Sequence, residues 1–583
     1  MLSKVKKIYL YKKATYKGEI IKKIEYKFKD LCGFFFFRNI LQYNKKNKYC
    51  IQDNYNILLN KNKILQNRFD MNEEYRIFNK YYTFDEFIKK LNVKKEFWRK
   101  IKITQYEDIK VNWEYNRLQV LLPLTIKYIY TKEKKYIYEI EEILTTWEIK
   151  NKFEYSLNWN NNLEVAIRAI NISLAIILLK NKDINEKFSR LLYLHAKHIY
   201  CEIDYSYYCI PNNHVIGEAV SLLFLSNLID TKENKKWYSK AIEILNNKID
   251  IIDENGISKE NSFSYQFFVT KMYILALCFV KEKEIFNKLN NKILKSLDFL
   301  LKTIINENEI INYGDNDGGF LYSAYMNYNI AKDIREYYDY FFEKKINLET
   351  ELIDCMLKKS KNQIKYGIIK KDNMFYSKNI FIYKWNNNLI FFNAKKIQGH
   401  AHNDSLAIFL IVNGEEIITD SGTYSYNKSI EKRKYYRERK SHSTIQIKND
   451  KNAIPIGSFR WINKNDSYLE MLKNDEDTIV ISGIICNICK RTIEICKKEN
   501  RIIVNDINYT DSKNIKENWI TLNGSIIDNK TIKVKNVKIE YETNTYINEN
   551  KSSISRQYLD EQSADIFTVE YENTNNINLK IIW

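Results

Sequence analysis

Three of the chain's six histidines, His400, His402 and His442, fall within 43 residues of one another and are interleaved with the carboxylates of Asp404 and Asp420. An imidazole titrates near neutral pH and is also a common metal ligand, so such a cluster can move protons or hold an ion. His402, Asp420 and His442 supply two imidazoles and one carboxylate, a mixture that suits zinc. Solvated loop histidines are the plain alternative. Asn413-Gly414 is a hairpin signal. In the register it sets, Val412 pairs with Glu415 and Asp420 with Ala407, so His402 meets its co-ligands only if the chain bends before Leu406.

Further constellations lie upstream. Pro211 to Glu218 opens a helix on which His214 and Glu218, four residues apart, share a face; the competing reading is that Asn212 or Asn213 caps that helix. Glu260 to Gln266 precedes another helix and puts Tyr265 near its first turn. The loop Tyr313-Gly314-Asp315-Asn316-Asp317-Gly318-Gly319 offers two aspartates, as an acid/base pair, a cation site or an Asx-rich turn. Cys486 and Cys489 form a C-x-x-C with no second pair at zinc-ribbon spacing and with apolar surroundings, which reads as strand packing.

The elements that must position these groups change character along the chain. From about residue 76 to 355, apolar residues recur every three or four positions, as in Leu118 to Tyr130, Leu163 to Leu179, Val215 to Leu228, Trp237 to Ile249, Phe267 to Val280 and Leu289 to Ile305. Successive amphipathic helices imply a bundle, solenoid or toroid, and the lack of a fixed period disfavours a short-repeat solenoid. From about residue 362 the period becomes two, or short apolar runs separated by turn residues, which reads as an antiparallel β-sandwich. The domains expected are an N-terminal extension over 1–75, a helical domain over 76–358 and a β domain over 359–583. Within the extension, the apolar knot Leu31 to Phe37 is expected to dock on the next domain.

At 583 residues the chain is too long for one core. Its +20 net charge favours an anionic partner, whether an acidic polysaccharide, a membrane surface or nucleic acid. The abundance of Lys, Asn, Ile and Tyr explains part of that charge as background composition. A nucleic-acid role would rest on charge alone and ranks last. Nine scattered cysteines do not suggest a disulfide framework. Neither a signal-type apolar run nor a membrane-spanning window is apparent, so the chain as given is expected to be cytoplasmic, with a periplasmic location as the alternative. Oligomeric state is not legible.

Asn213-His214, Tyr265, His400 to Leu406, Asp420 to Tyr424 and His442-Ser443-Thr444 occur in an order and spacing that resembles the heparinase II/III-like polysaccharide lyases, a family that includes alginate lyases. Asn158-Trp159 with Glu164 and Arg168 is similar to that family's helical-domain signature. The resemblance spans about residues 110 to 450. It implies a multidomain α + β architecture, an incomplete α/α toroid followed by an antiparallel β-sandwich, with the active site in the cleft between them. It further implies cleavage of an acidic, uronate-containing glycan by β-elimination. Asn213, with His214, would hold and neutralise the uronate carboxylate; Tyr265 would pass a proton as base, acid or both; His400 would be the other proton-transfer group. His402, Asp420 and His442 would be ligands of a structural zinc. Two competing expectations are a non-catalytic carbohydrate-binding or assembly protein of surface polysaccharide biosynthesis, and a glycoside hydrolase using Asp315 and Asp317.

Overall fold

The computed structural model describes residues 18–43, 49–51, 74–358, 362–369, 372–446, 453–462, 466–510, 515–543, 545–571 and 574–583. Much of the expected N-terminal extension (1–17, 44–48 and 52–73) lies outside the described residues. Helices run from Glu19 to Leu357, and strands predominate from Met374 to Ile582.

The helical half is built around Asn162–Leu179, in which every side chain from Leu163 to Leu179 is buried. A helix that is apolar on all sides has no face to give to water, and this one is enclosed by Leu121–Thr131, Lys182–Cys209 and Asn213–Leu228. It is the one helix among the described residues long and apolar enough to cross a membrane, and its place here is the core. Asn161 caps its start by accepting from the Leu163 N–H, and the left-handed Lys180 ends it. Further pairs, Asn213–Leu228 on Asn234–Lys248 and Phe263–Leu277 on Lys283–Thr303, continue the helical layer.

A polar hub sits inside this core. The Arg168 guanidinium, fully buried, donates from Nε to His195 Nε2 (3.0 Å), from Nη1 to the Asn116 carbonyl (3.2 Å) and from Nη2 to the Asn158 carbonyl (2.8 Å). It lies 4.2 Å over the Trp147 ring. Burial and the adjacent guanidinium hold His195 well below the usual imidazole range. The neutral ring therefore donates from Nδ1 to the Leu191 carbonyl (2.8 Å) and accepts at Nε2.

The β half contains three main antiparallel sheets. One has five strands in sequence order, Met374–Tyr376, Ile380–Trp385, Asn388–Asn393, Ile408–Val412 and Glu415–Ile418. A second has eight strands and runs from Ser467–Asn474 at one edge to Gly524–Asp528 at the other; the third has four and includes Ile515–Thr521 and Gln562–Tyr571. Phe381, Ile390, Phe392 and Leu410 of the five-stranded sheet share a core with Ile481, Ile493 and Val504 of the eight-stranded sheet and with Trp519 and Phe567 of the four-stranded one. The alternate residues of the five-stranded sheet, Ile380, Ile382, Phe391, Phe409 and Ile411, belong to the core of the helical half. Period-two alternation thus supplies two apolar faces, which is why these strands read as unbroken apolar runs.

At the N-terminal side, Glu19–Leu31 and Phe34–Tyr43 form a helical hairpin. Arg38 anchors it by pairing with Glu154 and, at 2.6 Å, with Glu202. The apolar knot meets the helical half through Phe35, which is buried against Trp98, while Leu31, Phe34, Phe36 and Phe37 are exposed. A helical turn carries successive side chains around the axis, so four adjacent phenylalanines cannot all face one neighbour.

Arg168→Ala leaves two buried carbonyls and one imidazole nitrogen without donors, each lost partner costing about 1–3 kcal/mol. The variant is expected to unfold several degrees below the parent in a thermal melt, and an unchanged midpoint would show that the hub contributes no net stability.

Candidate active site

The groups singled out in the sequence meet where the loop ahead of the Phe263–Leu277 helix, the loop Tyr313–Gly319 and the histidine stretch converge. Their backbones are joined directly: His400 N–H donates to the Glu260 carbonyl (3.1 Å), Asp315 N–H to the His400 carbonyl (2.9 Å), and Phe263 N–H to the Tyr313 carbonyl (3.2 Å). Gly314 makes this possible. It has φ +67°, and a Cβ there would lie 2.1 Å from the Asn261 carbonyl oxygen and 2.9 Å from that of His400.

Tyr265 stands in the first turn of its helix, which Ser262 caps by accepting from the Tyr265 N–H. The phenol donates to Asp317 Oδ2 (3.0 Å) and lies 3.1 Å from the Tyr426 hydroxyl. Its ring stacks on His400 with centroids 3.6 Å apart and planes 14° from parallel. Burial and the Asp317 charge push the phenol well above its ordinary pKa, so it rests protonated.

His400 Nδ1 is bonded to Asp315 Oδ2 (2.9 Å), and its Nε2 faces Glu260 Oε2 at 3.8 Å. Glu260, whose carboxyl is raised by burial, also accepts at Oε1 from the Asn213 N–H (2.6 Å). Asn213, the first residue of Asn213–Leu228, is fully buried, and neither side-chain polar atom is in hydrogen-bonding geometry with a partner. Asn212 is the cap, accepting from His214 N–H at 3.1 Å. His214 is pushed down to about 4, burial outweighing the attraction of Glu164, and is neutral at pH 7. Glu218 turns away from the site to accept from Ser206 and Asn162.

The two aspartates of the Tyr313–Gly319 loop have separate tasks. Asp315, fully buried, takes His400, His402 Nε2 (3.0 Å) and both terminal nitrogens of Arg433. Burial alone would raise its pKa, but Arg433 and the two histidines hold it well below the carboxylate range. Asp317 takes the Tyr265 hydroxyl and Lys110 Nζ (3.3 Å) and closes an Asx turn by accepting from Gly319 N–H. Lys110 pairs with Glu114, which pairs with Arg117, which pairs with Glu164, so Glu164 reaches the site through a buried chain of charges.

His402, Asp420 and His442 come together, with one ligand-type atom from each lying within 4.8 Å of the others. The bend they need occurs at Leu406, which has φ +68°. The hairpin has the register expected at Val412 and Glu415, and a bulge then brings Leu410 opposite Ile418. His442 Nδ1 is bonded to Asp420 Oδ2 (2.7 Å), leaving its Nε2 buried without a partner; His402, bonded through Nε2, has the same at Nδ1. Two buried imidazole nitrogens with free lone pairs beside a carboxylate fit a metal ion, and the other nitrogen of His402 is fixed by Asp315, the kind of partner that orients a metal-binding histidine. Among the described residues no other such group occurs, and Cys486 and Cys489 flank a strand turn.

Sequence reasoning passed over Arg433, Tyr426 and Glu260. Arg433 lies on Ile430–Arg437, within the charge-dense run Glu431 to Lys440 where no single arginine stands out.

Residues 382–573 match the family model described as Heparinase II/III-like, C-terminal. No curated protein matches the chain. Among solved structures it is similar to a heparinase III (TM-score 0.61, 14% identity, covering 95% of this chain and 90% of that one). It is also similar to a second heparinase III gene product (0.58, 15%, 90% and 86%) and to the heparan sulfate lyase HepC from Pedobacter heparinus (0.53, 16%, 88% and 81%). These likenesses establish the fold, a helical toroid joined to a β-sandwich. Residues 382–573 thus carry a C-terminal domain of the heparinase II/III-like type.

Proposed function

We propose that the chain is a polysaccharide lyase that cleaves an acidic, uronate-containing glycan by β-elimination. The observation that carries this reading is the Tyr265–His400 stack, two proton-transfer groups at van der Waals contact, each held by its own buried aspartate. A hydrolase would need two carboxylates facing each other across a sugar; Asp315 and Asp317 are instead committed to histidines, arginine and tyrosine. An acidic substrate accords with a neighbouring cavity of about 830 Å³ walled by Tyr426, Arg433, Lys434, Arg437, Arg439 and Lys440, with Glu438 as its one carboxylate.

In this mechanism Asn213 and neutral His214 offer hydrogen bonds to the uronate carboxylate, stabilising the charge that develops as C5 loses its proton. Asp315 fixes the His400 tautomer with the proton on Nδ1, leaving Nε2 as the acceptor of the C5 proton. Tyr265, protonated at rest, gives its proton to the 4-position oxygen as the C4–O bond breaks and the C4–C5 double bond forms. Asp317 aims the phenol and stabilises its protonated form. A zinc ion held by His402, Asp420 and His442 would supply positive charge that fixes the histidine stretch behind His400.

Offering the purified protein a panel of acidic polysaccharides should raise the ultraviolet absorbance of unsaturated uronates with at least one polymer. Absence of a rise across a panel that covers the uronate glycans would count against the lyase reading. Tyr265→Phe, which removes only the ionisable hydroxyl, is expected to lower kcat at least about 100-fold while the protein still folds; undiminished turnover would remove Tyr265 from the mechanism. His442→Ala should lose zinc, measured by elemental analysis, and melt several degrees lower, whereas full metal occupancy in that variant would sink the ligand assignment.

A further inference from the structure

The N-terminal hairpin is turned inside out relative to an ordinary surface helix. Its polar side faces the protein: Lys22 lies near the Tyr26 and Tyr208 rings, Tyr26 is buried, and Arg38 reaches Glu154 and Glu202. Its apolar side faces outward. Ile21, Ile24, Phe28 and Leu31 recur every three or four residues on Glu19–Leu31, and Phe37 and Leu41 extend the stripe on Phe34–Tyr43; all six are between 62% and 78% exposed. Ten of the 28 large hydrophobic residues exposed among the described residues lie in this one hairpin, so the face is a concentrated patch and not a scatter of single side chains.

Charge identifies what covers it. The first 50 residues contain 14 lysines and arginines and three acidic residues, a net +11 of the chain's +20. A second copy docked through the same face would bring two such concentrations together. A soluble polyanion would satisfy the charge but has no use for a stripe of isoleucine, leucine and phenylalanine. An anionic lipid surface satisfies both: the exposed stripe enters the acyl boundary, while the lysine-rich sequence flanking the hairpin supplies attraction to anionic headgroups. We propose that the hairpin Glu19–Tyr43 is a membrane-docking element that seats the protein on an anionic bilayer. This inference is independent of the lyase reading.

The test is cosedimentation of the full chain with vesicles of mixed phosphatidylglycerol and phosphatidylcholine, and with vesicles of phosphatidylcholine alone. Binding should be at least about tenfold tighter to the mixed vesicles and weaken with added salt. The double variant Ile24→Glu/Phe28→Glu should lose at least about tenfold in vesicle affinity, since each apolar side chain seated in the bilayer contributes more than the 1.4 kcal/mol that tenfold represents. Its melting temperature and oligomeric state should match the parent's, because both side chains contact solvent. A second variant, Leu31→Glu/Leu41→Glu, probes the other end of the stripe in the same way. No binding by the parent, equal binding by both variants, or conversion of a parent dimer to monomers by the substitutions would overturn the proposal, the last by showing that a second copy covers the face.

Discussion

The carboxylate of Asp315 is the point on which the site depends. It is buried, and a buried charge is tolerable only where it is paired and hydrogen-bonded. Its partners are His400 and His402 from the histidine stretch and Arg433 from the helix Ile430–Arg437, all from the β half, while Asp315 itself belongs to the helical half. One interaction therefore docks the two halves, orients the ring stacked on Tyr265 and fixes a ring of the candidate metal site. Withdrawing Arg433 would cost about 3–5 kcal/mol, because the Asp315 carboxylate would remain as an uncompensated buried charge.

Around this point the architecture is rigid by construction. The five-stranded sheet contributes one face to the helical core and the other to the sandwich core, so it is shared structure and not a lid over either. Strands buried on both faces have their register strongly specified, since a one-residue slip would exchange both sets of side chains at once. The histidine stretch leaves this sheet after Asn393 and rejoins it at Ile408, and its ends are fixed by the same constraint. Tyr265 and Asn213 are held just as firmly, in the first turns of two buried helices.

Much of this was legible in the residues and some was not. The apolar helix expected over Leu163 to Leu179 occupies Asn162–Leu179, and the strand expected over Thr478 to Ile485 has those limits, because the first is buried along its whole length and the second is apolar at most positions and alternates buried with half-buried ones. Lys182–Cys209, the longest helix among the described residues, escaped notice: its tyrosines, histidines and charges break the apolar period, although Tyr193, His195, His198 and Glu202 are buried. Tyr546–Ile554, polar and largely exposed at the edge of its sheet, carries almost no alternation to detect. Within the site, histidines are scarce and so stood out, whereas Tyr426 is one of 45 tyrosines and Glu260 acquires its role only from chain crossings distant in sequence. Asp315 and Asp317 were visible as a pair, but nothing local reveals that residues two apart serve different partners.

The crossing at Gly314 bears on how such a site can change. At that position any side chain would collide with main-chain oxygens from two other segments, and main-chain atoms cannot be exchanged for smaller ones. Gly422 is confined likewise, since a Cβ there would lie 2.1 Å from the Ser555 carbonyl oxygen and 2.2 Å from Nδ2 of Asn312, which belongs to the helical half. The seam between the two halves is thus closed to substitution at these points, while the groups lining the adjacent cavity are mostly long side chains that can be replaced without moving the backbone. New substrate preferences are accessible by altering that lining, whereas the seam can only be kept or lost as a whole.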